Sequence, residues 1–247
     1  MNHNIYIGID DTDNLVSIGT GHLARDLANS LDDAGLVRIF SITRHQLLVD
    51  PKIPFTSHNS AACITGQITG NEFQVREFCA DFLLNHAADG SDVGLCIVLE
   101  ESIPEEIVSF GQRAKIEVLK ENEALDIAKK YSIYLIGLTG QKIGVIGALA
   151  AVGLRFHGND GRLLWLNRLR EIQGIFTIGK YQELVPVDTI VDIDGNLLHP
   201  ESKINISDWC RPVVKNKKIV LFAEKSDAHE KYEYQSASKE YIKHLSE

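Results

Sequence analysis

The segment Asn4 to Ile9 places Ile5, Ile7 and Ile9 at alternate positions, and the alternation ends abruptly in Asp10-Asp11-Thr12-Asp13. A period of two over so short a run predicts a β-strand that stops at a polar loop. Beyond the loop, Leu23, Leu27 and Leu31, with Ala24 and Ala28, recur at helical spacing from Gly19 to about Asp33, and Gly35 ends the pattern. The carboxyl end of a strand, just before a helix, is where open α/β folds bind ligands. Three carboxylates held together there repel one another unless a hard cation neutralises them, and magnesium favours one or two carboxylates with water and substrate phosphates. Asp10, Asp11 and Asp13 are therefore the candidate metal ligands of a nucleotide–magnesium site. The same loop also reads as a solvated acidic cap on the helix.

Gly19-Thr20-Gly21 opens that helix, so its backbone N–H groups and one hydroxyl could meet a phosphate, although the same residues suit a plain N-cap. It is not a Walker A loop, because no Gly-Lys-Ser or Gly-Lys-Thr stands at the required spacing. Arg44-His45, at a strand end, and Phe55-Thr56-Ser57-His58-Asn59-Ser60 bring cationic and hydrogen-bonding groups around a proline turn, as a phosphate clamp requires. Taken singly, each histidine reads as a surface loop residue. Gly137 to Lys142 precedes an apolar helix carrying Gly144 and Gly147, which could admit close approach of a ligand or of a neighbouring strand; small residues along such a helix favour close packing on a sheet.

Further strands are expected at Leu36–Thr43, Ser60–Ile68, Val93–Leu99, Ser132–Ile136 and Lys218–Phe222, with a hairpin at Asp194-Gly195. Phe73, Phe78, Phe82 and Leu83 mark one helix, Pro104 opens another, and an apolar helix runs from about Lys142 to Phe156. The charged stretch Glu117 to Lys130 suggests an exposed helix or a domain boundary near residue 130, and the polar segment from Lys225 onward suggests a terminal helix or tail. With 247 residues the chain has length for one large domain or two modest ones.

The 25 basic and 34 acidic residues give a net charge of −9, which opposes general nucleic-acid binding. The four cysteines form no C-x-x-C pair, so neither zinc ligation nor a disulfide framework is supported, and four reduced thiols are expected. The first residues have no basic n-region, and the longest apolar run, Val145 to Leu154, is half the roughly 20 residues of a membrane span. A cytoplasmic protein without membrane partners is the expectation.

Three motifs then fall in one order: Gly8-Ile9-Asp10-Asp11-Thr12-Asp13 with Thr20 and Leu23; Pro51, Pro54, Thr56, Asn59 and Ala61; and Ile146-Gly147-Ala148-Leu149-Ala150-Ala151-Val152-Gly153. In these the chain resembles the archaeal agmatinylcytidine synthetases, which modify the wobble cytidine of an isoleucine tRNA using ATP and agmatine. The resemblance covers roughly the first 155 residues. It implies an α+β protein with a kinase-like nucleotide-binding α/β domain, set at residues 1–130, followed by a ferredoxin-like domain with a polar tail at 131–247. Departures are local: Thr20-Gly21 stands where the family has tandem threonines, and Thr56-Ser57-His58-Asn59 where it has Thr-Arg-Gly-Asn. The family's OB-fold and zinc ribbon, which hold tRNA, find no counterpart in the sequence.

The expected activity is ATP- and magnesium-dependent transfer of a phosphoryl or nucleotidyl group to an acceptor of unspecified identity. Asp10, Asp11 and Asp13 hold the metal directly or through water; Gly19, Thr20, Gly21 and Asn59 bind the nucleotide. Arg44 and His58 neutralise charge that develops in transfer, and Asp11 is a candidate base. A tRNA acceptor and self-association into a homo-oligomer stay open. Two alternatives stand beside this. One is a non-catalytic nucleotide- or partner-binding module. The other is an aspartyl phosphatase of the haloacid dehalogenase type, whose Asp-x-Asp loop Asp11-Thr12-Asp13 imitates. Asp192-Ile193-Asp194-Gly195 imitates it more closely but lies late in the chain and is read as a turn.

Overall fold

The computed structural model describes residues 3–53, 59–227 and 229–246. The chain divides into two compact units, Met1–His157 and Gly158–Glu247. The division falls after the apolar helix rather than near residue 130, because that helix is the cover of the first sheet and cannot leave it.

In the first unit the elements run β1 (Asn4–Asp10), α1 (Thr20–Asp33), β2 (Val37–Gln46), β3 (Ser60–Ile68), α2 (Glu72–His86), β4 (Gly94–Leu99), α3 (Glu105–Arg113), α4 (Glu121–Lys130), β5 (Tyr134–Gly137) and α5 (Val145–His157). The strands lie in the order β5-β4-β1-β3-β2, every neighbouring pair antiparallel. Strands β1 to β4 with α1 and α2 thus form a doubled split β-α-β, the ferredoxin-like topology. The resemblance puts that topology in the second half of the chain; it is built here by the first 99 residues. The overall class is mixed α+β, as the sequence implies.

Strand alternation sorts the two faces. Gly8 is a glycine because a Cβ there would strike the Ala148 carbonyl, so the even positions of β1 face α5. Tyr6, Cys63 and Cys96 join Val145, Ala148, Leu149, Val152 and Phe110 in one buried cluster on that face. Ile5, Ile7 and Ile9, fully buried, point to the opposite face, against which α1 sets Leu23, Leu27 and Leu31. Helix α2 buries Val75, Cys79 and Leu83, whereas Phe73, one of the residues that signal the helix, is 62% exposed. The charged stretch near residue 120 is a helix, α4, tucked on α5 through Ala124 and Ala128.

The second unit comprises β6 (Arg162–Leu166), β7 (Gly174–Thr177), α6 (Ile178–Leu184), β8 (Thr189–Asp192), β9 (Lys203–Ile206), β10 (Val213–Lys215), β11 (Lys218–Lys225), β12 (Tyr234–Ser236) and α7 (Lys239–Ser246). Its strands follow the order β6-β10-β11-β12-β9-β7, with β8 parallel to β11. Tyr181, Leu163, Ile178, Ile190 and Ile204 form its core. Asp194-Gly195 is the expected tight turn: Val191 bridges Leu197, Gly195 takes φ +88°, and Asp192 accepts the backbone N–H groups of Asp194 and Asn196.

Candidate functional site

Antiparallel order brings five strand ends to one end of the first sheet: the carboxyl ends of β1, β2 and β5 and the amino ends of β3 and β4. Asp10 is opposite Gly94, and Gly94 opposite Gly137, so the acidic loop and the loops around residues 92 and 140 share that end.

Asp10, the last residue of β1, continues the even face and lays its carboxyl on the first turn of α5, where a Cβ at Gly147 would fall on the Asp10 carboxylate. Gly144 is pressed between Asp92, Gly94 and the Asp10 backbone. The packing assigned to these glycines is thus real, and what Gly147 packs against is the acid itself. Burial, then the Asp11 charge, raises the Asp10 pKa well above the usual carboxylate range, with Asp13 adding to it. The chain then turns through Asp11 at φ 51°, a left-handed conformation that few residues with a Cβ adopt. Burial, the charge of Asp92 and that of Asp13 push the Asp11 pKa up to about 6.

Thr12, 2% exposed, fixes the loop. Its hydroxyl donates to Thr20 Oγ1 at 3.0 Å, and its carbonyl accepts the Ala88 N–H at 3.0 Å. Thr20 is thus the pin between acidic loop and α1. Gly19, the N-cap of α1, provides no side-chain cap, and a Cβ on it would touch Asp13 Oδ2 at 3.3 Å. Asp13, Gly19, Thr20 and Gly21 therefore sit together on the α1 side of the sheet end, with Asp10 on the α5 side. Among the described residues no group of three or more His, Cys, Asp or Glu side chains is arranged to hold one metal ion. Magnesium needs only one or two carboxylates, and Asp10 and Asp11 suit it: both are half-buried, and their charges oppose each other.

Arg44 aligns with Ala62, and Ala62 with Ile9, which puts it on the α1 face and across the sheet from the Asp10 carboxyl. Its Nε donates to Ser60 Oγ at 2.9 Å and its guanidinium reaches Gln46 Oε1 at 3.0 Å. His45 faces the other way, fully buried and 2.8 Å from Thr43 Oγ1. His58 lies outside the described residues, as do Pro54 and Thr56. Asn59 braces the ends of its loop, Nδ2 donating to the Leu48 carbonyl at 2.7 Å while its own carbonyl accepts Gln46 Nε2 at 2.7 Å.

Sequence reasoning passes over Asp92 and reads the stretch that holds Thr139 as packing alone. The Asp92 carboxylate accepts the backbone N–H groups of Gln141 and Lys142 while its charge bears on Asp11. Thr139 donates to the Ser91 carbonyl at 2.6 Å and accepts the Val93 N–H at 2.9 Å. Only the pairing of β4 with both β1 and β5 brings them to the acids, and no local spacing could reveal that.

No family model matches the chain. Against curated proteins, the isoleucine-tRNA 2-agmatinylcytidine synthetase TiaS of Cenarchaeum symbiosum is 26% identical over 198 residues, which is 72% of this chain and 43% of that protein. The chain is similar to TiaS. An uncharacterized protein of Methanocaldococcus jannaschii is 27% identical over 62% of this chain and 50% of its own length. Among solved structures, the complex of TiaS with its isoleucine tRNA and ATP matches with TM-score 0.53 and 27% identity, over 61% of this chain and 36% of TiaS. The complex of TiaS with the same tRNA, AMPCPP and agmatine matches with TM-score 0.53 and 26% identity, over the same shares. The chain spans half or less of the length of the curated relatives it matches. No helix among the described residues is long and apolar enough to cross a membrane.

Proposed function

We propose that the first unit binds ATP with magnesium at this sheet end and transfers a phosphoryl or nucleotidyl group from it to an acceptor. The observation that carries the reading is the acidic loop itself: Asp10 seated on the first turn of α5, Asp11 forced left-handed, and Asp13 at the uncapped start of α1. Similarity to a protein solved with ATP and with AMPCPP supports it. Asp10 and Asp11 would hold the magnesium, with Asp13 reaching it through water. The bound ion would supply Lewis-acid stabilisation of charge on phosphate oxygens.

The chain's own groups do the rest. The N–H groups at the start of α1 receive phosphate oxygens along the helix dipole, and the Thr20 hydroxyl, which accepts from Thr12, retains its own proton to donate. Arg44 acts from the α1 side, where it neutralises charge developing on the transferred group. Asp11, at the turn out of β1, is the group placed to take a proton from an acceptor hydroxyl. Nucleotides are the primary ligand, and tRNA is one acceptor class to be tested.

Calorimetric titration with ATP in the presence and absence of magnesium tests the reading. Binding should require magnesium and be lost in the Asp10→Asn/Asp13→Asn double variant; unchanged magnesium-dependent binding refutes the site. Incubation with ATP, magnesium and metabolite or tRNA extract, with both AMP and ADP followed, identifies the bond that is cleaved.

A further inference from the structure

A site made of carboxylates repels a triphosphate, and magnesium compensates only the oxygens it reaches. Among the described residues assigned above, none brings a cation to the α5 side, where the Asp10 carboxyl lies, since Arg44 lies across the sheet. The loop before α5 brings one. Lys142 adopts φ 68° and Gly140 φ 55°, two left-handed residues within three positions. A residue with a Cβ is rarely held so without external restraint, and such strain gathers at functional sites.

Here the restraint is on both sides of Lys142. The Asp92 carboxylate accepts the backbone N–H groups of Gln141 and Lys142, the latter at 3.2 Å. Gly140 must be a glycine because a Cβ would collide with that carboxylate, and Gly137 because a Cβ would collide with the Lys142 side chain. The aliphatic stem of Lys142 therefore lies over Gly137, in the same row across the sheet as Gly94 and Asp10. The ammonium, on an exposed side chain, can swing over that row. Asp92 belongs to both sides of the arrangement: it fixes the lysine loop through its carboxylate and bears on Asp11 through its charge.

We propose that Lys142 binds the phosphate oxygens of the nucleotide and that Asp92 is a positioning residue, holding the Gln141–Lys142 backbone in the turn that presents the lysine. This rests on the reading of the sheet end as an ATP site, and the experiment separates the two. Affinities of the full chain for ATP, AMP and adenosine, each with magnesium, are measured for the unaltered protein and for Lys142→Gln, Asp92→Asn and Asp92→Ala, with thermal melts alongside.

A lysine on the phosphates predicts that Lys142→Gln weakens ATP about tenfold or more, AMP less, and adenosine not at all, with an unchanged melt. Asp92→Asn keeps an oxygen acceptor for the two N–H groups and should stay within about threefold for ATP; Asp92→Ala should lose about tenfold for ATP and nothing for adenosine. Equal ATP affinity in Lys142→Gln, or equal losses for ATP and adenosine, overturns the assignment while leaving the ATP site standing. Asp92→Asn as weak as Asp92→Ala overturns the positioning role. Failure of the unaltered chain to bind ATP overturns both proposals.

Discussion

Asp11→Asn should stabilise the protein and disable it at once. Asparagine tolerates the left-handed conformation that Asp11 holds at φ 51°, so the substitution removes a charge without adding backbone strain. Burial, Asp92 and Asp13 carry the Asp11 pKa from an ordinary 3.8 to about 6. At about 1.36 kcal/mol per pH unit that is an upper bound of about 3 kcal/mol, and because the group is only half-buried, solvent screening reduces it to roughly 1 kcal/mol.

The sign follows from linkage: with its folded pKa raised, the protonated acid favours the folded state, and that contribution is present below pH 4 and lost as the pH rises through about 6. Denaturant unfolding without ligands should therefore find Asp11→Asn equal to the unaltered chain near pH 4. By pH 7 the variant should be more stable by roughly 1 kcal/mol, or ~2–4 °C in Tm. Saturating ATP and magnesium should reverse the order, since a ligand at a hundredfold excess over Kd adds about 2.7 kcal/mol to the form that binds it. A variant less stable than the unaltered chain at pH 7, or a difference that does not change between pH 4 and pH 7, refutes the account of Asp11 as a charge held against its own preference.

Gly147→Ala places a methyl on the Asp10 carboxyl; it should destabilise the first unit by about 1–3 kcal/mol and raise the Kd for magnesium–ATP, and a melt with a calorimetric titration checks both. All four cysteines are buried, and burial pushes the Cys63 thiol up to about 12 and the Cys210 thiol up to about 11. A thiol reagent at pH 8 should thus label none of them until denaturant is added; rapid labelling of the folded chain contradicts that burial.

Local signals in the chain mark the individual elements well. Helix α1 ends where Gly35, at φ +65°, stops it, and β3 occupies the run that reads as a strand. What periodicity could not reveal is which strands lie side by side. The ferredoxin-like order depends on β4 returning beside β1, a pairing of residues about ninety positions apart. The same pairing is what draws Asp92 to Asp11. Alternation sets Arg44 and His45 on opposite faces of β2, but only the pairing with β3 and β1 decides that Arg44 turns to α1 and His45 into the core beneath α5. Helix α2 misleads in a different way, because of the residues that announce it only Leu83 is buried, and Val75 and Cys79 complete the face it buries.

Charge is divided unevenly between the two units. Residues 1–157 hold 12 of the basic and 20 of the acidic side chains, while residues 158–247 hold 13 and 14, so nearly all of the excess acid belongs to the unit with the proposed ATP site. A polyanion approaching that unit is repelled unless a cation travels with it, so the proposed nucleotide binding should depend on magnesium rather than merely gain from it. Nucleic acid faces the same field over a longer backbone and finds balanced charge only in the second unit, where Arg162 and Arg211 stack on Trp209 at 5.8 and 5.4 Å. Affinity for an isoleucine tRNA should accordingly be weak at physiological salt and fall further as salt is raised, since it would rest on Lys and Arg contacts with phosphates that release counterions. A mobility-shift titration decides it. Submicromolar binding at physiological salt would mean that the chain gathers its basic side chains on one surface strongly enough to outweigh the acid, and would restore tRNA as the acceptor to test first.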